Sequence, residues 1–224
     1  MINKTRGQNQ QGEMLNPKKT TGRRSQQGVM QGQFQNTVFT TIGWDLGNVI
    51  LDFSKDQWFD AMSGNQQLAT SLEHQLEVGS ISEKDFLSGI QQNCMAQLTT
   101  EEIRELFTNI FTRNPPMESF VLDFISSGKN TNLLLSNTNS IHWPQIESLV
   151  GHVLNRFDAL LLSHQCGFRK PDIRFFQSNP LLINGNFLFI DDLEENLSGA
   201  LALGGEGFQF TGIESLKHRL ESMG

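Results

Sequence analysis

Four short apolar runs, each closing on a polar residue, constrain this chain more than any other feature. They occupy residues 40–45, 132–136, 158–163 and 187–192, and a weaker fifth run covers 207–210. Runs this short and this continuously apolar suit strands buried on both faces of a parallel sheet. Helix-like segments separate them, at 117–127, 143–153, 173–177 and 193–203, and another follows the last run at 214–223. Strand alternating with helix predicts an α/β, Rossmann-like, doubly wound parallel sheet.

The pattern divides the chain of 224 residues into three parts. Residues 1–37 are rich in Gln, Gly, Asn and Lys/Arg and lack apolar periodicity, so they read as a disordered basic tail. Residues 38–54 and 115–224 form the expected α/β core. Between them, residues 55–114 read as helical throughout, an inserted α-helical cap. Ser82 with Asp85 marks the start of one cap helix, and Thr100 with Ile103 the start of another. Glu101 and Glu102 fall in the first turn of the latter, where carboxylates favour the helix dipole. A cap entering after the first strand would sit above the carboxyl ends of the sheet, where open α/β sheets bind ligands.

At those ends the polar residues are of particular kinds. Asp45 ends the first run, Ser136 and Asn137 the second, and Asp191 and Asp192 the fourth, while Lys170 follows the third. Each has a local alternative: a strand-to-turn junction for Asp45, turn chemistry for Ser136 and Asn137, a solvated loop position for Lys170. Asp192 with Glu195 could form a capping box. Together, in a parallel sheet, they converge on one edge as an anion and metal site. A cation, an ammonium and hydrogen-bond donors grouped in this way can stabilise a bound anion by positioning and electrostatics.

Bulk properties exclude several classes. No apolar run approaches the roughly 18 residues of a membrane span, and no apolar segment near Met1 resembles a secretory signal. Cys94 and Cys166 are isolated, which argues against a disulfide framework or structural zinc and for a cytoplasmic setting. The formal net charge is −7, and outside the basic tail acidic residues outnumber basic ones by roughly two to one. That acidic body argues against nucleic acid as a partner.

The motifs Asp45-Leu46-Gly47-Asn48-Val49, Leu135-Ser136-Asn137-Thr138-Asn139, Lys170-Pro171-Asp172 and Ile190-Asp191-Asp192-Leu193-Glu194-Glu195-Asn196 resemble the four motifs of the haloacid dehalogenase-like (HAD) hydrolase superfamily. Within it the chain resembles the group of the glucose-1-phosphate phosphatases and the phosphatase domain of soluble epoxide hydrolases. Residues 76–83 resemble a cap segment of that group. The resemblance implies a Mg²⁺-dependent phosphatase acting on a small phosphorylated metabolite, with sugar phosphates foremost. Asp45 would be the nucleophile, forming an aspartyl-phosphate. Mg²⁺ would be held by Asp45, the Gly47 carbonyl and Asp192, a hard-oxygen set. Ser136 and the Asn137 backbone would bind phosphate and Lys170 would offset its charge. Asp191 would orient Lys170 or metal-bound water, supported by Asn196. Cap residues 77–86 are the expected specificity determinants.

One departure matters. Where much of the superfamily carries an acid–base Asp, two residues past the nucleophile, this chain has Gly47. General acid–base help is worth about 10²–10⁴ in rate. The substrate would then need a good leaving group, or another acid would have to serve: Asn48, Asp52 and His142 are candidates by position, and His164 also lies beyond a strand end. A 2-haloacid dehalogenase, where halide leaves unprotonated, and a non-catalytic binding or scaffold protein are the alternatives.

Overall fold

The structure, a computed structural model, describes residues 39–62, 65–95 and 97–223, all within one compact unit spanning 36–224. The expectation of a disordered tail over 1–37 lies outside the described residues. Seven strands form there: β1 (Thr41–Trp44), β2 (Leu51–Phe53), β3 (Phe111–Arg113), β4 (Thr131–Ser136), β5 (Ala159–Leu162), β6 (Phe187–Asp191) and β7 (Glu206–Gln209). Helices α1 (Asp56–Ala61), α2 (Gln66–Glu77), α3 (Glu83–Asn93) and α4 (Thr100–Thr108) lie between β2 and β3. Helix α5 (Pro115–Ser126) precedes β4, and α6 (Trp143–Leu154) joins β4 to β5. Helices α7 (Ser163–Cys166) and α8 (Ile173–Gln177) lead to β6, α9 (Glu194–Ala202) connects β6 to β7, and α10 (Ile213–Glu221) follows β7.

The sheet is five-stranded and parallel, in the order β5-β4-β1-β6-β7. Its side chains alternate between two cores, as a strand period of two requires. Ile42, Trp44, Leu134, Leu188 and Ile190 point into one, closed by Met117 and Val121 of α5, Ile146 and Val150 of α6 and Leu216 of α10. Leu133, Leu135, Phe187 and Phe189 point into the other, closed by Phe175 and Phe176 of α8 and Leu197 and Ala200 of α9. With both faces covered, the strands need apolar residues at nearly every position, which produced the continuous runs. Among the polar residues buried in these strands, Asn132 accepts a 3.0 Å hydrogen bond from the Trp44 indole. Gly43 lets the layers close up: a Cβ there would lie 2.4 Å from Leu135 Cδ1.

The helical insertion has its own core, built on Trp58, Phe86 and Phe107, with Phe107 4.7 Å from each of the other two ring centroids. Ser82 caps α3, its hydroxyl accepting from the Asp85 N–H at 3.1 Å. Helix α4 starts at Thr100, as expected, with Thr99 as its N-cap in a reciprocal capping box with Glu102. Residues 55–114 are also not helical throughout. β3 pairs antiparallel with β2, Leu51 opposite Arg113 and Phe53 opposite Phe111, a short ribbon through which the chain leaves and re-enters the core. Among the described residues no helix is long and apolar enough to cross a membrane.

Candidate active site

The carboxyl ends of β1, β4 and β6 meet below the helical insertion. The Asp45 N–H donates to the Ile190 carbonyl at 2.8 Å, fixing the residue as the last rung between β1 and β6. Beyond it the chain turns at Gly47 and Asn48, the latter with φ of 53°, a left-handed conformation that Asn tolerates. Leu51 closes this turn by donating to the Leu46 carbonyl, while the Asn48 N–H donates to the Leu51 carbonyl. The Gly47 carbonyl accepts neither of these bonds, and Gly47 lines the cavity.

Lys170 is the centre of charge. Its Nζ lies 2.6 Å from Asp45 Oδ1 and 2.7 Å from Asp191 Oδ2, and the side chain is 1% exposed. Its backbone is pinned by the Asn137 side chain: the Lys170 N–H donates to Asn137 Oδ1 at 2.8 Å, and Asn137 Nδ2 donates to the Lys170 carbonyl at 3.1 Å. The Asn137 amide is therefore occupied in positioning Lys170. The Lys170–Pro171 peptide is cis. Burial opposes the ammonium charge, but Asp45 and Asp191 outweigh it and hold the lysine pKa above its usual value.

The two neighbouring aspartates differ in what they have left to give. Both Asp191 oxygens are engaged, by Lys170 Nζ, the Leu193 N–H at 2.9 Å and Asn196 Nδ2 at 2.9 and 3.1 Å. Asp192 lines the cavity with one contact from Asn48 Nδ2, at 3.2 Å. The expected alternative of a capping box at Asp192 is not formed, because Leu193 is the N-cap of α9 and has no side-chain cap bond. Asp45, Asp191 and Asp192 offer oxygens within 4.8 Å of one another. At an effective dielectric of about 20, two such charges repel by roughly 3 kcal/mol or more. Three carboxylates against one ammonium leave an excess of negative charge, and an all-oxygen set of this kind fits a hard divalent cation. Without such a cation, burial pushes the Asp45 carboxyl up to about 7, against the pull of Lys170.

Asp45, Lys170 and Asp192 floor a cavity of about 200 Å³, while Asp191 lies buried beneath them and does not line it. Ser136 and Asn137 line one wall, and Phe53, Ile110 and Phe111 another. The positions suggested for a replacement acid fare differently. Asp52 is exposed, bonded to Asn114 Nδ2 at 3.0 Å, and does not line the cavity. His142 lines it, yet both ring nitrogens are taken. Nε2 must donate to the Phe107 carbonyl at 2.9 Å, so Nδ1 accepts from Asn139 Nδ2 at 3.1 Å. Burial, aided by the Lys55 charge, lowers its pKa to about 3, so it is a neutral packing residue at pH 7. His164 is not among the lining residues. Within 77–86 only Glu77 lines the cavity, whereas Phe86 belongs to the cap core.

Of the cavity roof, the expected cap segment 77–86 reaches Glu77 and misses Glu73. Glu73 and Glu77, four residues apart and so on one face of α2, are both buried and both line the cavity. Glu73 Oε1 pairs with Lys55 Nζ at 2.6 Å, and Glu77 Oε2 pairs with Arg169 Nε at 2.8 Å. Burial and then the nearby Glu73 charge hold the Glu77 pKa above its ordinary value. The i, i+4 carboxylate pair on a helix with apolar neighbours was a signal in the sequence; its partners, 18 and 92 residues away, were not.

No family model matches the chain. D-ribitol-5-phosphate phosphatase of Bacteroides thetaiotaomicron is 30% identical over 189 residues, covering 75% of this chain and 90% of that protein. A HAD family enzyme of the same organism, solved with magnesium and inorganic phosphate, superposes with a TM-score of 0.69 at 21% identity over 81% of this chain and 98% of its own. L-2-haloacid dehalogenase of Xanthobacter autotrophicus shares the fold at a TM-score of 0.56 and 12% identity, with 83% of each chain covered. The chain belongs to the HAD-like hydrolase superfamily.

Proposed function

We propose that this protein is a Mg²⁺-dependent phosphatase that hydrolyses a small phosphomonoester, a sugar or sugar-alcohol phosphate, through an aspartyl-phosphate on Asp45. Within the superfamily this reading groups it with the glucose-1-phosphate phosphatases and the phosphatase domain of soluble epoxide hydrolases, on the resemblance of its four motifs and of residues 76–83 to that group. The observation that carries the reading is a single ammonium, Lys170, held between Asp45 and Asp191 beside the less committed Asp192, which lines the same cavity. A metal ion would be held by Asp45, the Gly47 carbonyl and Asp192; Asp191, its oxygens already engaged, would position Lys170. When bound, Mg²⁺ supplies positive charge that steadies the phosphate oxygens.

The chain's own groups supply the rest. One Asp45 oxygen is bound by Lys170, and the other is left to attack phosphorus. The bond from phosphorus to the alcohol oxygen breaks as that to Asp45 forms, and the alcohol oxygen takes up a proton. Water then attacks the acyl phosphate and releases inorganic phosphate and the free carboxylate. Ser136 and the Asn137 backbone face the phosphate oxygens, where preorganised donors act most strongly. Lys170 favours the ionised form of Asp45 and offsets the phosphate charge.

A panel of phosphate esters with Mg²⁺, run beside EDTA and the Asp45→Asn variant, tests this. Phosphate release should stop in EDTA and fall by at least about 10³-fold in the variant. Chloride released from a 2-haloacid and persisting in EDTA would overturn the reading in favour of a dehalogenase. Saturable binding of esters without turnover would overturn it in favour of a scaffold.

A further inference from the structure

The roof of the cavity is acidic, although the floor must receive a phosphate dianion. Its charge is already balanced, since Glu73 is paired with Lys55 and Glu77 with Arg169. Each pair uses one carboxylate oxygen and makes no hydrogen bond to the other among the described residues. An ionised carboxylate is acceptor-only, so the two remaining oxygens can satisfy only donors on a bound molecule. A second, independent observation concerns Thr138, which lines the same cavity. It is 3% exposed, and its buried Oγ1 has no hydrogen-bond partner among the described residues. A buried hydroxyl left unpaired costs free energy unless something bonds to it.

An anionic tail would face two carboxylates whose cations are already engaged, and an ammonium would find no net charge to neutralise. A neutral alcohol bearing several hydroxyl groups suits both features, donating to the carboxylates and exchanging a bond with Thr138. We propose that Glu73, Glu77 and Thr138 determine specificity by hydrogen-bonding the hydroxyl groups of the alcohol half of the substrate, so that the site selects neutral polyhydroxylated phosphomonoesters. This rests on the phosphatase reading above and deepens it.

The test compares a pentitol 5-phosphate with n-pentyl phosphate, two primary esters whose chains differ in hydroxyl groups. In the unchanged protein kcat/KM should favour the pentitol ester by at least about 100-fold, the loss of bonds to buried polar groups being strongly discriminating. In Glu77→Gln and Glu73→Gln that preference should fall at least about tenfold, mainly through KM. Each variant also frees a cation at the roof, so an aldonic acid phosphate should improve relative to the pentitol ester, a reversal that mere destabilisation would not produce. Thr138→Val, which removes an unpartnered hydroxyl, should keep its unfolding midpoint while losing several-fold in the same preference. Equal turnover of the two esters by the unchanged protein, or a preference unmoved in all three variants, overturns the proposal and leaves the phosphatase reading standing. If the unchanged protein hydrolyses neither ester nor any other in Mg²⁺, the phosphatase reading itself fails and this one with it.

Discussion

Phe53 fills the space that a side chain at position 47 would need. A Cβ on Gly47 would lie 2.7 Å from Phe53 Cε1, and the ring is braced by Phe111, 6.3 Å away between centroids. The glycine and the aromatic ring are thus one feature, an apolar surface where a relative could carry an acid. Gly47→Asp alone should cost about 1–3 kcal/mol through overpacking, measured by urea unfolding. In a Phe53→Ala background the same change should cost less, and it should speed hydrolysis of alkyl phosphates by up to about 10²-fold relative to Phe53→Ala alone. p-Nitrophenyl phosphate, whose leaving group needs no proton, should gain little. Asp45 sets a second expectation. Its carboxyl is raised from 3.8 to about 7, so between those values the metal-free folded chain keeps a proton that the unfolded chain releases. A cation bound there must displace that proton. Calorimetry in buffers of different ionisation enthalpy should find close to one proton released per Mg²⁺ at pH 6, and apparent affinity falling about tenfold per unit below 7.

Elements show what the sequence could and could not convey. The five parallel strands were legible because burial on both faces writes itself as an unbroken apolar run. β2 and β3 were not, since three residues are too few for a period, and Leu51-Asp52-Phe53 goes from buried to exposed and back to half-buried. The strand-end residues Asp45, Ser136 and Asp191 could be read because parallel strands share one functional edge. The roof pairs could not, because contact between Arg169 and Glu77 depends on how the insertion folds back over the core. His142 belongs to the same class of long-range contact, bonding the first turn of α6 to the last turn of α4 through the Phe107 carbonyl. Its folded pKa, about 3, lies below the ordinary 6.5. Below 6.5 the unfolded chain takes up a proton that the folded chain refuses, so stability falls as the pH drops toward 3. Urea titrations should show a slope steeper by about 1.4 kcal/mol per pH unit than in His142→Gln over the lower part of that window. The capping box of α4 is more local: Thr99→Ala should cost about 1 kcal/mol.

At the scale of the whole molecule, the described residues that line the cavity all fall between Asp45 and Asn196. A chain beginning at residue 38 should therefore keep its kcat/KM within about twofold of the full-length protein, and a large loss would make the first 37 residues part of the enzyme. The core and the insertion also meet through consecutive residues of one loop. Lys170 reaches down to Asp45 and Asp191, and Arg169, its neighbour, reaches up to Glu77. That adjacency limits how such a protein can be recombined. A chimaera that grafts a foreign cap onto this core would leave the Arg169 guanidinium beside Lys170 with nothing opposite it. The graft would then draw in anions of the wrong kind unless it brought its own acidic residue to that place. Modules that look separable along the chain are, at Arg169, joined by a shared charge.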